Sequence, residues 1–177
     1  IMLDMLKSQS VAPVIVFNNV NRSRFPYFSP LSIFNKKTPT GNLYFGGQYN
    51  NNGLKKLKTL GVTAIVNMRS QMVHDAPRDF KYLHLPTPDN NPPCVDMLMQ
   101  GAEFIDEEIN SGGKVYINCL KGLGRGPTMV VAFLIKTGKS LDDAVAMVKR
   151  LNSDISLSPF QIMRLQDLEQ LYKKNSC

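Results

Sequence analysis

Val62–Met68, VTAIVNM, is β-branched and almost continuously apolar, the pattern of a strand covered on both faces. Lys114–Asn118, KVYIN, has the same character. Phe80–Pro86, FKYLHLP, alternates instead, with Phe80 and Tyr82 on one face and His84 a candidate to join them. Asn42–Gly47 predicts a shorter first strand ending at a glycine turn. Between these runs the period changes. NNGLKKLKTLG suits a short helix stopped by Gly61, because glycine commonly follows a last helical turn. Leu98, Ala102, Ile105 and Ile109 recur at helical spacing, and Met129–Ile135 is apolar all round, as in a helix buried inside a domain. Ser140–Asp143 forms a capping box for a helix through Leu151, and Ser158–Gln161 forms another for the last helix. Strands alternating with helices predict an α/β fold, a central, mostly parallel twisted sheet flanked by helices. Pro13, Pro26, Pro30 and Pro39 interrupt every period early in the chain, so residues 1–40 read as an irregular N-terminal arm and 41–177 as one domain.

Composition narrows this picture without redirecting it. At 177 residues, 43% hydrophobic and 20% charged, the chain has ordinary globular proportions and can bury its own core. Cys94, Cys119 and Cys177 are scattered, form no CxxC pair and do not read as a disulfide framework, which points to a reducing, cytoplasmic location. With only His74 and His84 available, no metal site is expected. The early apolar run Val11–Phe17 contains Pro13 and is too short to span a membrane, and nothing basic precedes the first apolar residues as in a secretory signal. The net charge of +7 is uneven: residues 1–81 hold eleven Lys/Arg against three Asp/Glu, the remainder ten against eleven. A basic first half favours an acidic partner, although no basic stripe interleaved with aromatics marks a nucleic-acid surface.

The candidate chemistry lies in INCLKGLGRGPT, Ile117–Thr128. A Cys-x5-Arg spacing alone means little, but here it joins an apolar strand to a buried helix through a glycine-containing loop, with Pro127 in the first helical turn. Such a loop turns successive N–H groups inward and aims the positive end of the helix at its centre. Gly122 and Gly124 permit backbone conformations that a Cβ would obstruct. A thiol at a helix N-terminus beside a cation loses its proton readily, and the Arg125 fork can hold two phosphoryl oxygens at once. Cys119 thus reads as a nucleophile facing phosphorus, with Leu120, Lys121, Gly122, Leu123, Gly124 and Arg125 as the phosphate-binding loop. Lys121 adds attraction for an anion or simply faces solvent.

The segment VYINCLKGLGRGPT resembles the signature loop of the cysteine-dependent protein tyrosine phosphatase superfamily, dual-specificity branch. The likeness covers most of residues 42–172, through NLYFGGQYN, VTAIVNMRS, LHLPTPDN and AEFIDEEINSGGKVYIN, and GLGRGP is similar to the GLGRAP of regenerating-liver-type and glucan phosphatases. The resemblance implies a dual-specificity-phosphatase-like fold over 41–177 and hydrolysis of phosphomonoesters through a cysteinyl-phosphate, without metal or other cofactor. It also implies a general acid on the loop after the preceding strand, where Asp89 matches. Asp89 is the sole carboxylate in that Pro-rich loop; its competitor Asp96 is placed to cap the next helix. Gln161 matches the glutamine that positions the hydrolytic water, although the capping box already accounts for it.

Two positions depart from the family. Asn118 replaces the histidine usual before the nucleophile, and its amide cannot carry an imidazolium charge. Gly126 replaces the Ser or Thr whose hydroxyl helps expel the thiolate, so slow breakdown of the intermediate is expected. These departures motivate a second reading, a weakened or inactive phosphatase-like domain that holds phosphorylated partners as a scaffold. The implied substrate is a phosphoprotein, with phosphoinositide, phosphoglucan and an RNA 5′ end as alternatives. A sulfurtransferase is disfavoured by Arg125 and the Asp89 loop, and a papain-like protease because both histidines precede Cys119.

Overall fold

The computed structural model describes residues 14–18, 29–31, 42–71 and 77–175. Its strands are β1 (Val14–Asn18), β2 (Ser29–Leu31), β3 (Leu43–Gly46), β4 (Ala64–Arg69), β5 (Lys81–Thr87) and β6 (Val115–Asn118). Its helices are α1 (Asn51–Thr59), α2 (Val95–Asn110), α3 (Arg125–Lys136), α4 (Leu141–Leu151) and α5 (Pro159–Asn175). The strands form one sheet in the order β2-β1-β3-β6-β4-β5, parallel throughout except for the antiparallel pair β1–β2.

Alternation within each strand sorts its side chains between two cores. Leu43, Phe45, Ala64, Val66, Met68, Val115 and Ile117 face the larger one, which α2, α3, α4 and α5 cover. Tyr44, Ile65 and Tyr116 point the other way, onto Leu57 of α1 with Tyr49, Val62, Phe80 and Tyr82. Helix α3 is buried from Arg125 to Ile135, as its uninterrupted apolar sequence requires. Ser140 and Ser158 both cap as expected. Ser140 Oγ accepts from Asp143 N at 3.2 Å, and Ser158 Oγ accepts from Gln161 N at 3.2 Å while Gln161 Oε1 takes the Ser158 N–H at 2.9 Å.

Two expectations need correcting. The stretch 1–40 is not wholly irregular, since residues 14–18 and 29–31 extend the sheet beyond β3. Proline counted against strands there, yet Pro30 lies in the edge strand β2, where a missing N–H is tolerated. Asp96 does not cap α2. Cys94 occupies the cap position without a side-chain bond, and Asp96 sits within the first turn, where a carboxylate faces the positive helix end. His74 and Cys177 lie outside the described residues. Among the described residues no helix is long and apolar enough to cross a membrane.

Candidate active site

Strand β6 ends between two neighbours, with Gly46 of β3 and Asn67 of β4 both in register with Asn118. The chain then turns through Cys119–Gly124 into α3. Backbone bonds fix this loop on both sides: Cys119 N donates to Gly46 O at 3.3 Å, Gln48 N to Leu120 O at 3.1 Å and Ser156 N to Leu123 O at 3.1 Å. Gly122 has φ +76°, and a Cβ there would sit 2.5 Å from the Gly46 carbonyl carbon, so only glycine fits. That close approach presents the Gly122 N–H to Cys119 Sγ at 3.2 Å. Cys119 is buried, at 3% exposure.

Arg125 opens α3 and is itself buried. Its Nη1 donates to the Thr87 carbonyl at 2.8 Å, and its Nη2 lies 3.2 Å from Asp89 Oδ1. Its buried Nε–H has no acceptor among the described residues, and a buried unmet donor costs about 1–3 kcal/mol. A tetrahedral oxyanion in the loop supplies such acceptors. Asp89 follows β5 on an exposed turn, its side chain 65% accessible. The turn is held locally: Asp89 Oδ1 accepts from Asn90 N at 3.2 Å, the Asp89 carbonyl accepts from Asn91 Nδ2 at 3.0 Å, and Asn90 has φ +59°.

The structure thus places Asp89 against Arg125, at the helix start that closes the loop holding Cys119. Gln161 is buried against the loop. A Cβ built on Gly124 would come within 3.6 Å of its Nε2, which donates to the Asn91 carbonyl at 3.5 Å. Lys121 and Leu120 are exposed at the loop mouth. Asn118 is fully buried beneath the loop; its Nδ2 donates to Gln48 Oε1 at 3.0 Å and to Asn67 Oδ1 at 3.3 Å. Tyr116 OH donates to the Gly47 carbonyl at 2.7 Å, and burial, then the adjacent Cys119 and Tyr49, hold that hydroxyl well above its ordinary range. Gln48, Asn67 and the Thr87 carbonyl were not anticipated. The polar Asn67 inside the apolar run AIVNM was the available signal.

A parallel sheet that delivers a Cys-x5-Arg loop into the N-terminus of a buried helix defines the cysteine-dependent phosphatase class. Within that class, a family model described as "Dual specificity phosphatase, catalytic domain" matches residues 43–171, and the chain belongs to that family. Dual specificity protein phosphatase 1-A of Xenopus laevis is 34% identical over 116 residues, which is 64% of this chain and 31% of that protein. Dual specificity protein phosphatase 9 of Homo sapiens is 33% identical over 133 residues, 73% of this chain and 35% of that protein. The matched stretch is thus about a third of the length of these relatives. Among solved structures, Tk-PTP in the active form is similar at 28% identity with a TM-score of 0.66, covering 71% of this chain and 90% of that one. PTPMT1 in complex with PI(5)P shares the fold at 22% identity and a TM-score of 0.69, covering 74% and 92%. The chain is a phosphatase catalytic domain of dual-specificity type, from a family that acts on phosphorylated substrates.

Proposed function

We propose that the protein hydrolyses phosphomonoesters through a phosphocysteine on Cys119. The Cys119 thiolate attacks phosphorus while the loop N–H groups of Leu120–Gly124 and the Arg125 fork hold the equatorial oxygens. The bond to the leaving oxygen breaks, and Asp89 gives that oxygen its proton. Asp89 then takes a proton from water held by Gln161. The water oxygen attacks phosphorus, the S–P bond breaks, and inorganic phosphate leaves with the thiolate restored. The carrying observation is the convergence of three groups: Sγ on the Gly122 N–H at 3.2 Å, Arg125 on the same loop, and Asp89 3.2 Å from its guanidinium.

Gly126 favours a slow second step. A Cβ there would lie 3.7 Å from Cys119 Sγ, where glycine leaves no hydroxyl to assist departure of the sulfur. A phosphoprotein is the substrate this reading favours, in a reducing cytoplasm, with the basic first half attracting acidic surroundings. The scaffold reading draws on Asn118 and Gly126 alone. Retention of Asp89 beside Arg125 weighs against it, since holding a phosphate needs no acid.

The test is vanadate-sensitive hydrolysis of a small aryl phosphate, phosphotyrosine and phosphothreonine peptides, phosphoinositides and phosphoglucan, by the parent protein and by Cys119→Ser. Turnover by the parent that falls to background in Cys119→Ser is expected. Tight binding of phosphopeptide without turnover by the parent would establish the scaffold instead.

A further inference from the structure

Gln48 touches both chain neighbours of Cys119. Its backbone N–H donates to the Leu120 carbonyl at 3.1 Å, and its side-chain Oε1 accepts from Asn118 Nδ2 at 3.0 Å. Backbone groups at both ends dictate how the amides in this row are turned. The Tyr49 carbonyl can only accept, so the Gln48 atom 3.2 Å from it is Nε2, and Oε1 faces Asn118. At the far end the Arg69 N–H can only donate, so the Asn67 atom 2.9 Å away is Oδ1; Asn67 Nδ2 donates to the Tyr82 hydroxyl at 2.8 Å. Asn118 therefore lies between two acceptors, at 3.0 and 3.3 Å, and only its NH2 group fits that slot. Its Oδ1 is buried without a donor among the described residues, so the amide gains nothing by turning over in place.

We infer that Gln48 is a positioning residue for the nucleophile. It pins residue 118 through its side chain and residue 120 through its backbone, and so fixes the direction in which Cys119 projects Sγ. The inference rests on the phosphatase reading above and deepens it. The bond it protects is a single one, Gly122 N–H to Sγ at 3.2 Å, close for a donor to sulfur and so dependent on the direction in which Cys119 projects. Gln48 acts through Asn118 and does not itself meet the substrate. It supplies by fixed geometry part of the orientation that a histidine before the cysteine supplies in relatives.

Gln48→Leu removes both side-chain bonds and keeps the backbone N–H. On aryl phosphate its kcat falls about ten- to a hundredfold, the scale of a displaced reacting group, with KM changed far less. The pH profile of iodoacetamide alkylation, read by mass on the peptide containing Cys119, moves to higher pH, while Tm falls only by the few degrees that one unmet buried Asn118 N–H costs. In an Asn118→Ala background the same substitution adds little further loss. A Gln48→Leu protein with an unmoved alkylation profile and a lowered Tm would reduce Gln48 to a structural role. Losses by Gln48→Leu and Asn118→Ala that multiply independently would overturn action through Asn118. Gln48→Met, unbranched and of similar length, gives the same readouts if the leucine variant fails to fold. If the parent hydrolyses nothing, the phosphatase reading falls, yet the alkylation profiles of parent and variant still decide the role of Gln48.

Discussion

The loop Cys119–Arg125 and the turn Thr87–Cys94 carry the two halves of the proposed reaction, and they are built oppositely. The first is buried at both ends, with Cys119 at 3% and Arg125 at 5% exposure, and its backbone is bonded to β3, to the turn after it and to the segment before α5. The second is exposed, bonded chiefly to itself, and meets the first through Arg125 and Gln161. Both use positive φ, but with different residues. Gly122 is pressed against Gly46, whereas Asn90 stands in the open at φ +59°, a conformation asparagine accepts. Holding a tetrahedral anion needs donors that do not reorganise, while delivering a proton to changing leaving groups needs a carboxyl that can move. In this structure the Asp89 carboxylate rests on Arg125 Nη2, while the Nε–H of the same guanidinium is left for an incoming phosphate.

Substitutions can sharpen that contrast. The largest effect is expected at Asp89. Asp89→Asn should slow hydrolysis by about 10²- to 10⁴-fold for poor leaving groups and far less for good ones, while Tm stays unchanged because the side chain is exposed. An equal loss for all leaving groups would assign Asp89 to binding instead of proton transfer. Next comes Gly122→Ala, which meets both the left-handed backbone and the Gly46 carbonyl. The conformation alone costs about 1–2 kcal/mol, and Tm should fall by roughly 5 °C or more, whereas Asn90→Gly should leave Tm nearly unchanged. Comparable Tm losses at the two positions would erase the distinction drawn here. A smaller gain is expected from Gly126→Ser, whose Cβ has room at 3.7 Å from Sγ. Steady-state turnover should rise several-fold and any pre-steady-state burst should shrink, as rapid-quench measurement would detect.

The smallest effect lies away from the site, in the acid range. Burial opposes ionisation of Glu108, but hydrogen bonds from Lys81 and Thr63 outweigh it and leave the carboxyl below its ordinary 4.5. At Glu169 the Leu141 N–H lowers the carboxyl most, against burial and with help from Lys173. A depressed folded-state value means the stabilisation is complete above the unfolded value and is lost as pH falls through the folded one. Stability should therefore decline below about pH 4.5, and Glu108→Gln should flatten that decline while lowering Tm at pH 7 by about 2–4 °C.

Much of this was legible beforehand, because local pattern and tertiary role agree. The apolar runs of β4 and β6, the all-round apolar α3 and the two serine caps each follow from short-range chemistry; spacing and loop context singled out Cys119 and Arg125 as candidates, and the family resemblance singled out Asp89. Other features depend on what lies across the sheet. The slot around Asn118 exists only because β3, β6 and β4 run side by side, so Gln48 and Asn67, nineteen residues apart in sequence, gave no joint signal. Strand β2 was hidden by Pro30, which an edge position tolerates, and the α2 cap fell on Cys94, a residue type with no capping preference to betray it.

Because β6 is interior, flanked by β3 on one side and β4 on the other, the proposed nucleophile is fastened to the portion of the sheet expected to open last. Fraying at the outer strands β2 or β5 would leave the β6 end that carries Cys119 in place. Hydrogen exchange slower at β6 than at β2 or β5 would show that the loop keeps its mount through partial openings of the sheet.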